Sequence, residues 1–426
     1  MEVNMPVTAV VGTQYGDEGK GRIIDFLAGK ADLVIRFQGG NNAGHTVVND
    51  KGRFQLHLIP SGIFNPKSTN LIGTGVVVNP DALLKEIEEL EFSGIDTSGI
   101  MVSNRAHMLL PHHRVLDGID EESRGSYSIG TTKQGIGPAY RDKAGRTGVR
   151  IGDLKHLDYL QIRLELQLKQ VNQILSSFDN PLVDLDSLLE KCVEWSAKLS
   201  DRIVEPIPLI KDAVESRQKI LLEGQLGSMK DLDWGTYPFV TSSNLIAAFA
   251  SVGAGLPYQH INDVIGVAKA YQTSVGEGPF PGELLDSIGD KLRDVGKEYG
   301  VTTGRPRRTG WYDSVAVQHS IWLNGMTSIA VTKMDVLDTF EEIKICNSYK
   351  LPSGDIINYV PDTPVLEKVT PIFETWPGWK QPTTHVRRWE DLPEEARGYL
   401  ERLQELAGIP IGYVSVGAER EAMFAV

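Results

Sequence analysis

Short β-branched runs recur along the chain with amphipathic helical stretches between them, and this alternation limits the fold more than any other feature. VTAVV, DLVIRF, NLIGTGVVV, KILLEG, DVIGVAKAY, TSIAVTK and IGYVSVG read as strands, while PDALLKEIEELEF and PGELLDSIGDKLRDVGKEYG carry helical periodicity. Strands that are apolar on both faces must be covered on both faces. The pattern therefore predicts an α/β fold, a large and mostly parallel β-sheet flanked by helices. In such sheets ligands bind beyond the carboxyl ends of the strands, so function is expected in the loops there. From about residue 154 to 215 the pattern turns purely helical and predicts an inserted helical subdomain. From about 341 to 370, short runs with turns such as PSGD predict a small antiparallel β region. No repeat, low-complexity tract or long linker divides the 426 residues, and a single domain over 1–426 is expected.

Asp and Glu number 56 against 43 Lys and Arg, and the net charge of −13 argues against bulk nucleic-acid binding or an anionic membrane surface. Basic residues are therefore read locally. Cys192 and Cys346 lie far apart with no CxxC spacing, which suggests neither a disulfide framework nor a zinc site. The start, MEVNMPVTAVVG, has no basic segment ahead of an apolar core, and no run nears the roughly 20 apolar residues of a membrane span. A cytoplasmic protein is expected.

The first strand runs into GTQYGDEGKGR, residues 12–22, where glycines and Lys20 precede the helical pattern GRIIDFLAG. Backbone N–H groups and a helix N-terminus together make an anion site. The spacing departs from the phosphate-loop motif GxxxxGK[ST]: six residues separate Gly12 from Gly19, and Gly21 stands where a Ser or Thr would ligate Mg²⁺. Asp17 can supply that missing ligand, since a carboxylate beside a triphosphate is tolerable with a divalent cation between them, and it can also accept a proton. Taken alone, the segment equally fits an acidic turn capping a helix. Glu18 has no assignment.

A second glycine-rich turn, FQGGNNAGHTVV from Phe37 to Val48, follows the strand DLVIRF. Its glycines permit close backbone approach, Asn42 offers amide donors and acceptors, and His45 can carry charge beside phosphate. A histidine in a loop is as readily a solvated one. Two such turns after successive strands, however, share one sheet edge.

GTQYGDEGKG together with QGGNNAGHT resembles the adenylosuccinate synthetase family, GTP-dependent enzymes that join L-aspartate to inosine monophosphate (IMP). GTTKQGIGPAYRDK, YPFVTSSN, TTGRPRRTGW and VTKMDVLD resemble the same family, in the same order, along nearly the whole chain. Each segment also has a physical reading. Ile129–Gly148 is a glycine-rich loop with hydroxyls and cations, suited to a nucleotide monophosphate or merely solvated. The hydroxyl of Thr241 either caps the helical pattern NLIAAFA or shares its N-terminus with a phosphate. Arg305, Arg307 and Arg308 offer guanidinium forks that match a small dicarboxylate, or pair with surface acids. Lys333 and Asp335 end a strand, where a carboxylate can accept the paired N–H donors of guanine that adenine lacks, so GTP is expected over ATP.

The resemblance implies a site. Asp17 is the base that deprotonates the purine and, with the Gly44 carbonyl, holds Mg²⁺; His45 and Lys20 stabilise the transferring phosphoryl group. GTP is assigned to Gly16, Gly19, Lys20, Gly44, Thr46, Lys333, Asp335, Ser415 and Gly417. IMP is assigned to Asp17, Asn42, Thr132, Arg146, Thr241 and Arg305, with Arg146 reaching across a homodimer. Aspartate is assigned to Thr302, Thr303, Arg305 and Arg307. The implied reaction passes through 6-phosphoryl-IMP to adenylosuccinate, GDP and phosphate. The chain also departs from the family. EGQLG, Glu223–Gly227, puts Leu226 where members carry an IMP-contacting glutamine, with Gln225 beside it; LIAAFASVGAG and SVGAER differ as well. These changes surround the purine and leave a second expectation, a paralogue that aminates another purine monophosphate such as a guanylate. A non-catalytic GTP-binding regulator is the third, disfavoured because a switch has no need of a dicarboxylate site.

Overall fold

A computed structural model describes residues 7–42, 44–300 and 304–426. Its centre is a ten-stranded sheet in the order Met423–Ala425, Ile411–Ser415, Ser328–Thr332, Asp263–Lys269, Val7–Gly12, Ile220–Gly227, Leu33–Arg36, Thr69–Ile72, Ile100–Ser103 and Ile203–Val204. Every pairing is parallel except that of the edge strand Met423–Ala425 with Ile411–Ser415. The large, mostly parallel sheet flanked by helices matches the expectation from the sequence.

The packing follows from strand periodicity, in which alternate side chains face opposite sides. Val10, Val34, Leu221 and Ile265 join Ile23 and Ile24 of the helix Lys20–Ala28 on one face. Ala9, Val11, Ile35 and Leu222 meet Ala250 and Ala254 of Ala247–Ala254 and Ile210 of Pro206–Glu215 on the other. The central strand Val7–Gly12 is thus sealed on both sides, and its end delivers the phosphate-type loop into the middle of the sheet edge.

The helices Leu157–Ser177 and Leu185–Leu199 insert Leu160, Leu164, Leu168 and Trp195 into the same apolar cluster as Val102 and Met108, so they extend one core. Glu342–Lys350 pairs antiparallel with Ile356–Ile357 and with Thr370–Pro377, a strand that continues to residue 377. NLIGTGVVV divides into two strands, Thr69–Ile72 and Val77–Val78; Gly73 N–H still reaches the Arg36 carbonyl of the main sheet at 2.8 Å, and the chain departs after it. Among the described residues no helix is long and apolar enough to cross a membrane.

Candidate active site

The carboxyl ends of the central strands open into one cavity of about 720 Å³. Its floor is the loop after Val7–Gly12, whose Gly16, Asp17 and Gly19 all take positive φ, at 106°, 59° and 88°. Gly19 is the left-handed N-cap of the helix that begins at Lys20, so the turn aims that helix's free N–H groups into the cavity.

Glu18 fills the hollow of its own loop. Its Oε1 accepts N–H bonds from Gln14 at 3.1 Å and Gly16 at 2.9 Å, and its Oε2 accepts from Lys20 Nζ at 2.5 Å, with both side chains buried. The carboxylate without an assignment is therefore the internal anion that shapes the turn. Asp17, its neighbour, points the other way: its side chain is 30% exposed and lines the cavity.

His45 opens the hairpin His45–Asn49/Gly52–Leu56, not a continuing turn, and its Nδ1 lies 2.6 Å from Oε1 of the buried Glu223. Burial pushes the imidazole below its ordinary pKa, outweighing the pull of Glu223. Burial would raise Glu223, yet the bonds from His45 and Ser61 and the nearby Arg36 hold it below the usual carboxylate range. A neutral ring thus donates Nδ1–H to an ionised carboxylate and leaves Nε2 for a ligand. The same ring explains Gly21. A Cβ there would stand 2.8 Å from His45 Cβ, so the place of a phosphate-loop Ser or Thr is taken by histidine.

At one end of the cavity lie Lys333, Asp335, Gly417 and Arg22. Lys333 takes φ 61° after the strand Ser328–Thr332 and sends Nζ to the Gly296 carbonyl at 2.7 Å and to Glu298 at 2.8 Å. Burial raises the Asp335 carboxyl, against the pull of Arg22 and Lys333. Arg22 donates to the Ser415 hydroxyl at 2.7 Å, which puts Ser415 beneath the surface as a support. Thr46 and Gly44 line the same cavity as this group and Asp17.

Toward the other end the cavity is bounded by Asn42, Thr132, Thr241, Leu226 and Lys230. Thr241 does not cap a helix. The helix Ala247–Ala254 begins six residues later, with Ile246 at its N-cap, and Thr241 N–H instead donates to the Lys230 carbonyl at 3.0 Å. Gln225 is turned into the protein, accepting from Arg36 and from Gly40 N at 3.1 Å and donating to Asn42 Oδ1 at 2.7 Å. Leu226, in left-handed backbone at φ 58°, is the residue that faces the cavity. Arg146, at φ 63° after the helix Ile136–Gly145, is exposed and stands away from the cavity.

Arg307 bridges the floor to a buried hub. Its Nε lies 2.9 Å from Asp17 Oδ2, and its Nη1 donates to Glu298 Oε2 at 2.5 Å. Glu298 also accepts from Lys269 at 3.1 Å, Lys333 at 2.8 Å and Tyr271 OH at 2.5 Å. Burial would raise it, but Lys269, Lys333 and Arg307 hold it far below the usual carboxylate range. Arg305 is half exposed, its Nη2 3.4 Å from Glu277, and does not line the cavity; Arg308 is turned to Glu283 at 2.5 Å. Thr302 and Thr303 lie outside the described residues.

The sequence reading missed Arg22, Glu223, Glu298 and Lys230. Only Glu223 left a signal, a lone charge at the carboxyl end of an apolar strand. Among the described residues the one grouping of His and carboxylate atoms close enough to share a metal is His112, His113 and Asp142. Its geometry favours a hydrogen-bonded pair: His113 Nδ1 accepts from Leu110 N at 2.9 Å, so its Nε2–H faces Asp142 at 3.1 Å.

The sequence profile of the adenylosuccinate synthetase family matches residues 9–424. Adenylosuccinate synthetase 1 of Methanosarcina acetivorans is 49% identical over 420 residues, 98% of this chain and 99% of that one. The adenylosuccinate synthetase of a Dehalococcoides mccartyi strain is 48% identical over 419 residues, with the same shares. Among solved structures, the fully ligated adenylosuccinate synthetase from Plasmodium falciparum superposes with a TM-score of 0.93 at 36% identity, covering 99% of this chain and 100% of that one.

Proposed function

The chain belongs to the adenylosuccinate synthetase family, and from that premise we infer its function: it is a GTP-dependent carbon–nitrogen ligase that joins L-aspartate to IMP, giving adenylosuccinate, GDP and phosphate. This is the committed step from IMP toward AMP. The observation that carries the reading is the meeting of Asp17, Lys20, His45, Arg307 and Asp335 around one cavity.

In the mechanism we propose, Asp17 removes the N1 proton of the purine, and the six-position oxygen attacks the γ-phosphorus of GTP as its bond to GDP breaks. Lys20, released from Glu18, and His45 stabilise the charge on the transferring group; the imidazole takes up a proton at Nε2 as the phosphates bind, and the resulting cation is balanced by Glu223. The aspartate amine then attacks C6 of the phosphorylated purine, and the C6–oxygen bond breaks with loss of phosphate. Positioning and electrostatics supply most of the acceleration.

The GTP assignment rests on the strand-end pair Lys333 and Asp335 with Gly417, over Ser415, and on the backbone of Gly19, Gly44 and Thr46; Gly16, whose N–H is held by Glu18 and which does not line the cavity, shapes the turn instead. Asn42, Thr132, Thr241 and Arg305 are proposed for IMP. Arg305, Arg307, Thr302 and Thr303 are proposed for aspartate. Magnesium fits the donor set at the loop, since Asp17 and Gly44 both line the cavity and a carboxylate and a backbone carbonyl are hard oxygen ligands. Bound there, Mg²⁺ would neutralise triphosphate charge.

A homodimer with Arg146 reaching the partner's site is supported by an unpartnered stripe on the helix Leu157–Ser177. Tyr159, Ile162 and Leu166 are 54%, 57% and 53% exposed, and Arg163 beside them donates to the Arg146 carbonyl at 3.0 Å. A cytoplasmic location accords with two buried free cysteines.

The test is phosphate release with IMP, aspartate and GTP omitted in turn, and the product identified by mass. Release that needs all three and yields adenylosuccinate is expected; release without aspartate or IMP would overturn the reading.

A further inference from the structure

Lys230 is a buried cation that the mechanism above does not use. Its side chain belongs to the cavity wall, yet only 9% of the residue is exposed. The other cations at that end, Arg124 and Arg141, pair with Glu121 at 3.5 Å and Asp120 at 2.9 Å. Among the described residues no carboxylate lies within ion-pair distance of Lys230. Its Nζ donates to the Phe239 carbonyl at 3.1 Å and stands 5.7 Å from the centre of the Tyr15 ring.

An ammonium has three donors, and one carbonyl leaves two of them without a protein acceptor. Burying such a group is costly unless a partner completes its bonds. Burial, with Arg308 adding like charge, brings its pKa down to about 8, so it stays largely protonated at neutral pH.

Position narrows the partner. Tyr15 lies two residues before Asp17 on the same loop, and Leu226, four residues before Lys230, packs against Gly16 of that loop. Tyr15, Leu226 and the Lys230 ammonium therefore line the cavity together with the base Asp17. Deprotonating N1 moves negative charge onto the six-position oxygen, the atom that must next attack phosphorus. A fixed cation there lowers the energy of that oxyanion.

We propose that Lys230 binds the six-position oxygen of the acceptor purine nucleotide. The assignment rests on the ligase reading above, and its test separates the two. Dissociation constants of IMP and of purine riboside 5′-monophosphate, the same nucleotide without that oxygen, are measured by calorimetry for the wild type and Lys230→Met. The analogue also lacks the N1 proton, but that loss is common to both proteins and cancels in the double difference.

The wild type should favour IMP, and Lys230→Met should lose roughly tenfold or more of that preference, with GTP affinity unchanged. Lys230→Leu, which also lacks a donor, is read in the same way and serves if the methionine variant does not fold. A variant that weakens both nucleotides alike, as loss of a phosphate contact would, or that weakens neither, overturns the proposal. A wild type that binds both nucleotides equally overturns it too. A wild type that binds neither overturns the ligase reading itself.

Discussion

The Asp17 carboxylate lies 2.9 Å from Nε of Arg307, an ion pair that is not aligned as a hydrogen bond. The proposed base and the proposed aspartate-binding cation thus neutralise each other until substrates separate them. Asp17→Asn removes the proton acceptor while keeping the side-chain volume. Turnover should fall by about 10³-fold or more, with the KM for GTP within about threefold. Steady-state kinetics check this, and full activity in the variant would eliminate the base.

Asp335 sits between Arg22 and Lys333 at the far end of the cavity, its carboxyl raised by burial. Asp335→Asn exchanges one acceptor oxygen for a donor that opposes the guanine N–H groups. The GTP-to-ATP ratio of kcat/KM should drop by about 10²-fold. Competition assays with the two nucleotides measure it, and an unchanged ratio would remove the guanine assignment.

His112 has both ring nitrogens buried without a partner, and burial, with His113 beside it, brings its pKa down to about 3. The folded-state value is depressed, so the unfolded chain binds the extra proton first. The contribution is complete above the unfolded pKa of about 6.5 and is lost as pH falls toward 3, costing about 1.4 kcal/mol at pH 5.5. Thermal unfolding between pH 7.5 and 5 should show the wild type losing stability faster than His112→Phe. Parallel curves would refute it. Glu86, raised by burial to about 7, acts in the opposite sense, which is why the comparison between proteins is needed.

Leu166→Asp on the exposed stripe should yield a monomer by light scattering. With Arg146 no longer delivered from a partner, the KM for IMP should rise by about tenfold or more. A dimeric variant with unaltered IMP kinetics would place the interface elsewhere.

The sequence was most legible where function is local. The loop at 12–22 and the strand-end pair Lys333 and Asp335 are contiguous, so spacing alone brings their atoms together. Glu298 was invisible because its partners come from three separate segments, Lys269 with Tyr271, Arg307, and Lys333, and KEYG on its own reads as a solvated helix end. Glu18 looked like a second acid in a phosphate site; only folding turns it into the turn's internal counter-ion. Leu226 and Gln225 could not be separated by adjacency, since a left-handed residue reverses which side chain faces outward.

Glu298 touches both Lys333, proposed for the guanine end of GTP, and Arg307, proposed for aspartate. A ligand that draws away either cation leaves the carboxylate to lean harder on the other, so occupancy at one extremity is felt at the opposite one. Thermodynamic reciprocity then fixes the size of the effect in both directions: whatever factor aspartate applies to nucleotide affinity, the nucleotide must return to aspartate.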